Sequence, residues 1–173
     1  MTCIVGIADG DSVYIGGDRG ISDNDTILKM SRPKVTQHDD FLIGYSGSLG
    51  VGQLMEFITY PKVTKTTDIY NTIRIDIVEQ IKALYESHGR DIEENATDWL
   101  IGCKGKLFHF TSADWGVLEI DECSIGTGSP IALGSLYTSK QLEDNPMIRI
   151  TYALNAAIEL SPTCSLPVDI LYI

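Results

Sequence analysis

Thr2 sits one residue behind the initiator methionine. Removal of Met1 would give it two reactive groups, a side-chain hydroxyl and a free α-amine. The pair is a self-contained catalytic unit, because the amine can take the proton from its own hydroxyl and leave an oxygen nucleophile for an amide carbonyl. An α-amine ordinarily titrates at about 7.7–8.0, which suits a base that works near neutrality. Many chains begin Met-Thr without consequence. The reading therefore depends on what the fold places beside Thr2.

The elements that must do the placing are readable from pattern. Cys3-Ile4-Val5-Gly6-Ile7 and Val13-Tyr14-Ile15 are nearly continuous apolar runs, which predicts strands over 2–9 and 12–17 joined by a turn at Asp9-Gly10-Asp11. The second run ends in Gly16-Gly17-Asp18-Arg19. Residues 19–33 are polar and read as an exposed excursion. Strands at 34–37 and 41–45 flank the turn His38-Asp39-Asp40, and a helix over 49–59 ends before Pro61. Ile69, Ile73, Ile77, Ile81 and Leu84 form a core-facing helical stripe, started by Thr67 or Asp68 and ended by Gly89. Further strands are expected at 99–103 and 106–110 around Lys104-Gly105, at 115–118 and at 123–126. Ser129-Pro130 predicts a helix with Ser129 as N-cap, and Asn145-Pro146 starts a last helix reaching Leu160. Residues 167–172 read as a closing strand. Strands, two helices, strands, two helices and a strand predict an α+β, four-layer αββα sandwich of two antiparallel sheets, as a single domain over 1–173.

Composition narrows the function classes. The chain has 173 residues and a net charge of −11, with no Lys/Arg cluster, so a nucleic-acid partner is not expected. No apolar run approaches the ~18 residues of a membrane span. No basic segment followed by an apolar stretch marks a secretory leader. Cys3, Cys103, Cys123 and Cys164 form no CxxC pair, which argues against a zinc ribbon and for reduced thiols in a cytoplasmic protein.

Four segments, in order, carry a resemblance. Thr2-Cys3-Ile4-Val5-Gly6, Tyr14-Ile15-Gly16-Gly17-Asp18, Leu42-Ile43-Gly44-Tyr45-Ser46-Gly47-Ser48 and Ser124-Ile125-Gly126-Thr127-Gly128-Ser129-Pro130 together resemble the β-type proteasome subunits and the HslV-like peptidases, a family of N-terminal nucleophile hydrolases. The resemblance is best over 2–60 and 98–137. It implies a threonine-type peptidase with Thr2 as nucleophile. Lys34 falls at the family's active-site lysine, and Asp18 would hold that lysine charged and oriented. Gly47 would give its backbone N–H to the oxyanion. Thr127 stands where the family has a serine close to the nucleophile.

The chain also departs from the pattern. Cys3 replaces a frequent second threonine. Ser161 and Cys164 appear at the positions of an Asp and a Ser that support the nucleophile in β-type subunits. The resemblance implies no required cofactor. It implies a structural sodium held by the carbonyls of Ile158, Ser161 and Cys164. It further implies a peptide or unfolded-protein substrate, a homo-oligomeric ring and an AAA+ ATPase partner. A catalytically inactive assembly protein on the same fold, and an amidohydrolase of small non-peptide substrates, are the competing readings. Met1 divides them, because while attached it acylates the Thr2 amine and removes the base.

Overall fold

The computed structural model describes residues 2–23, 26–89 and 96–173. Met1 and the Asn24-Asp25 part of the expected excursion lie outside them. The described residues form a four-stranded antiparallel sheet in the order β10-β1-β2-β11, from Glu122–Ile125, Ile4–Asp9, Ser12–Asp18 and Val168–Tyr172. A five-stranded antiparallel sheet runs β5-β6-β7-β8-β9, from Val35–His38, Phe41–Gly47, Thr97–Cys103, Lys106–Thr111 and Val117–Ile120. The sheets stack face to face. α4 (Ser129–Ser139) and α5 (Pro146–Leu160) cover the smaller one, and α1 (Leu49–Gly52), α2 (Ile69–Asn71) and α3 (Val78–Ser87) cover the larger. This is the αββα sandwich expected from the element order.

Three apolar slabs separate the four layers, and strand periodicity sorts side chains between them. Cys3, Val5 and Ile7 face Ile150, Leu154 and Ala157 of α5, while Ile4 faces Leu42, Leu100 and Leu107 of the other sheet. Phe41, Ile43, Tyr45, Trp99 and Ile101 turn to the α1–α3 side. The near-continuous apolar runs thus reflect burial on both faces.

Four local expectations need correction. Within the expected excursion, β3 (Gly20–Asp23) pairs antiparallel with β4 (Thr26–Lys29), and β4 is wholly exposed. Strands with no buried face carry no apolar alternation to read. The helix over 49–59 is only α1 followed by a 3₁₀ turn at Gln53–Glu56, and at their junction Gly52 sits so close to the Tyr45 ring that a side chain would collide. The isoleucine stripe is buried as predicted, but Thr72–Ile77 is a π-helical segment between α2 and α3. Its strict four-residue repeat outruns a 3.6-residue turn, and the wider i→i+5 turn returns the isoleucines to one face. Ser129 is not the N-cap of α4. Gly128 holds that position, and Ser129 Oγ donates to the Ser124 carbonyl at 2.7 Å. Asp68 and Asn145 cap α2 and α5 as read.

Glycines bring the sheets close. A methyl on Gly102 would stand 2.6 and 2.8 Å from the two methyls of Val13. Gly102→Ala should lower stability by about 1–3 kcal/mol, read as a fall in denaturation midpoint. Gly134→Ala, in α4 with open space around it, should raise stability by about 0.5–1 kcal/mol in the same assay.

Candidate active site

The register Ile4↔Gly17 sets the start of β1 against the end of β2. Asp18 N–H therefore donates to the Cys3 carbonyl at 3.2 Å, and Cys3 N–H donates to Asp18 Oδ1 at 3.0 Å. The Asp18 carboxylate is fully buried. Its Oδ2 accepts the N–H of Gly20 at 3.0 Å and of Ser165 at 3.1 Å. Lys34 Nζ donates to Asp18 Oδ1 at 3.3 Å, to Thr2 Oγ1 and to the Gly20 carbonyl. Thr2, Asp18 and Lys34, grouped already on sequence, are thus in one buried cluster.

Lys34 is 3% exposed. Burial pulls its pKa below the usual 10.5, and the Asp18 charge opposes that shift. Three acceptors surround Nζ, matching the three protons of an ammonium. A positive charge beside the Thr2 hydroxyl would favour its alkoxide form. The Cys3 thiol next door is pushed up to about 12 by burial, and burial raises Cys164 too, so neither offers a competing thiolate.

Turn geometry holds the Thr2 backbone. Gly128 N–H donates to the Thr2 carbonyl at 3.2 Å. Gly126, at φ +91°, passes so close that a methyl there would lie 2.6 Å from Ser46 Oγ. Gly47, at φ +118°, ends β6, and a methyl there would lie 2.8 Å from Thr97 Cα. Both positions require glycine. Gly47 joins Thr2, Lys34, Ser46, Ser22, Ile21, Tyr45 and Leu49 around a cavity of about 160 Å³. Thr2 N–H points to Thr127 Oγ1 at 3.4 Å, and Thr127 Oγ1 is 2.7 Å from Thr163 Oγ1.

The loop after α5 reaches the site through residues the sequence did not single out. Ser165 binds Asp18 through its backbone, and Thr163 binds Thr127 through its hydroxyl. The Ser161 hydroxyl meets Thr163 at 2.9 Å, and Cys164 is buried. The Ser161 carbonyl accepts Cys164 N–H at 3.4 Å. Ile158 lies in the last turn of α5, and Pro162, four residues on, has no N–H for its carbonyl. Arg19, given no role from sequence, ties β11 to the segment that follows β4. It binds both Asp169 oxygens at 2.6 Å and the Ser31 carbonyl at 2.6 Å.

Removing the Asp18 charge should destabilise the fold severely. In Asp18→Asn one carboxylate oxygen becomes an NH₂ facing backbone N–H donors, and Lys34 is left as an uncompensated buried cation. A loss of about 3–5 kcal/mol is expected from chemical denaturation. Adding Lys34→Met to Asp18→Asn should recover part of it, and additive effects of the two substitutions would disprove the coupling.

No protein-family model and no curated protein matches the sequence. Solved structures do match in fold. BPH from Thiobacillus denitrificans is 18% identical, with a TM-score of 0.83 over 99% of this chain and 97% of that one. A eukaryotic HslV from Trypanosoma brucei is 18% identical, with a TM-score of 0.74 over 99% and 98%. Anbu, an ancestral β-subunit from Yersinia bercovieri, is 12% identical, with a TM-score of 0.71 over 99% and 81%. With its four layers and near-complete overlap, this chain has the proteasome β-type N-terminal nucleophile hydrolase fold that HslV, BPH and Anbu share.

Proposed function

We propose that the protein is a threonine-type peptidase whose nucleophile is Thr2 after loss of Met1. The observation that carries this reading is the hydrogen bond from the buried Lys34 ammonium to Thr2 Oγ1, with Asp18 behind it. The α-amine takes the Oγ proton as Oγ bonds to the carbonyl carbon. The oxyanion is received by the Gly47 N–H, and a donor of this kind contributes about 2.7–4 kcal/mol. Collapse breaks the C–N bond, and the α-ammonium protonates the departing amine. Water, deprotonated by the same α-amine, then cleaves the Thr2 ester. Ile21, Tyr45 and Leu49 give the adjoining cavity an apolar wall, which favours an apolar side chain beside the scissile bond.

The fold relatives extend the proposal to assembly: a homo-oligomeric ring acting on peptides or unfolded proteins in the cytoplasm, served by an AAA+ ATPase. Exposed Leu133, Tyr137 and Tyr152 on the α4–α5 layer fit a surface that packs against other chains. Among the described residues no helix is long and apolar enough to cross a membrane. A sodium ion on the carbonyls of Ile158, Ser161 and Cys164 would brace the loop that carries Thr163 and Ser165, with no part in the chemistry.

Intact mass should read the chain without Met1, and that form should hydrolyse a fluorogenic peptide in a reaction that Thr2→Ala abolishes. Retention of Met1 in the native protein would overturn the proposal, as would activity on small amides alone. Epoxomicin, bound by the T. denitrificans chain, should inhibit it. Lys34→Ala should lower kcat/KM about 100-fold or more.

The pH profile carries a separate expectation. The ammonium of Lys34 is the active form and its pKa is lowered, so kcat/KM should fall on the alkaline side with a midpoint below 10.5. A plateau maintained through the ordinary lysine range would contradict a role for that charge.

A further inference from the structure

Thr127, Thr163 and Ser161 form a row of hydroxyls leading away from the nitrogen of Thr2. Thr2 N–H points to Thr127 Oγ1 at 3.4 Å, Thr127 Oγ1 lies 2.7 Å from Thr163 Oγ1, and Thr163 Oγ1 lies 2.9 Å from Ser161 Oγ. Thr163 N–H also faces Ser161 Oγ at 3.4 Å. Both loop residues come from the segment after α5, which is tied to the site independently by the Ser165 N–H on Asp18.

A hydroxyl has one proton, and this sets the row's direction. Thr127 accepts from the Thr2 nitrogen, so its own proton must go elsewhere. Thr163 Oγ1 is the acceptor within hydrogen-bond distance. Thr163 then passes its proton to Ser161. Every oxygen in this arrangement points its negative end toward Thr2.

We infer that Thr163, backed by Ser161, is a positioning residue that keeps the Thr127 hydroxyl as a hydrogen-bond acceptor for the Thr2 α-amine. This inference rests on the peptidase reading of Thr2. With Thr127 held as acceptor, one amine N–H is committed to it and the nitrogen lone pair is left for the Oγ proton. When the amine has taken that proton, the aligned hydroxyl dipoles stabilise the ammonium. An uncharged row of hydroxyls thus does orienting work at a site whose carboxylate, Asp18, is already consumed by Lys34 and three backbone N–H groups.

The test uses the full chain with Met1 removed, as checked by intact mass. Two quantities are read: the α-amine pKa, from the pH dependence of its labelling by cyanate, and kcat/KM on a fluorogenic peptide across pH. Thr163→Val keeps the shape and deletes the acceptor. It should lower the amine pKa by about one unit, moving the acid limb of the rate profile to lower pH, and lower kcat/KM about tenfold. Thr163→Ser should restore both, and Ser161→Ala should give a smaller shift of the same sign. The charged and titratable groups around the amine, Lys34, Asp18, Cys3 and Cys164, are unchanged in all three variants. An amine that titrates in Thr163→Val as in the wild type overturns the inference, as does failure of Thr163→Ser to restore it. If the wild-type chain hydrolyses no peptide, the peptidase reading fails, while the amine titration still decides the role of Thr163.

Discussion

The Asp18 carboxylate is the interaction on which the rest of this structure depends. It has no contact with water and would be intolerable unpaired. Its partners come from separate pieces of chain: the start of β1 through Cys3, the start of β3 through Gly20, the loop after α5 through Ser165, and Lys34. Satisfying one buried charge therefore fixes four segments against each other. It also leaves Lys34 with a proton to spare for Thr2. Stability and the geometry of the site are the same set of hydrogen bonds.

That cluster forms only because the two sheets approach closely where it lies. Asp18 ends a strand of the four-stranded sheet, while Lys34 precedes a strand of the five-stranded one. Gly17 and Val35 are their chain neighbours. A methyl on Gly17 would stand 2.9 Å from Val35 Cγ2, so the absent side chain is what lets Val35 pack inward and carry Lys34 across. Gly44 does the same opposite Ile4 and Ile15. The glycines of the apolar runs, read from sequence as strand residues, set the distance between sheets and so the reach of the lysine.

What could be read from sequence followed the range of the physics. Strands β1 and β2, the isoleucine stripe and the Asn145 cap are each decided within a few residues, and they were legible. So was the company of Thr2, but through resemblance, since nothing in the local pattern of Lys34 distinguishes it from a surface lysine. The pairing of β3 with β4 was not legible, because the wholly exposed β4 leaves no periodicity. Ser165 and Gly20 act through backbone atoms, which carry no residue signature. Ser129 failed as a cap because β10 offered its hydroxyl a better acceptor at Ser124. Thr163 had a visible hydroxyl, yet only the return of the loop after α5 puts it beside Thr127.

Thr2 is held through its carbonyl and its side chain as well as its nitrogen. Its carbonyl is held by Gly128, its hydroxyl by Lys34, and the next N–H along the chain by Asp18. All three lie on the side of the chain that remains after Met1 leaves. The proposed loss of Met1 would leave these three bonds in place and change what the nitrogen can do. A secondary amide with one N–H and no basic lone pair would become an amine with protons for Thr127 and a lone pair for Oγ. In the proposed peptidase the fold would supply Lys34, Asp18 and the Gly47 N–H beforehand, and the chemistry would wait on the nitrogen.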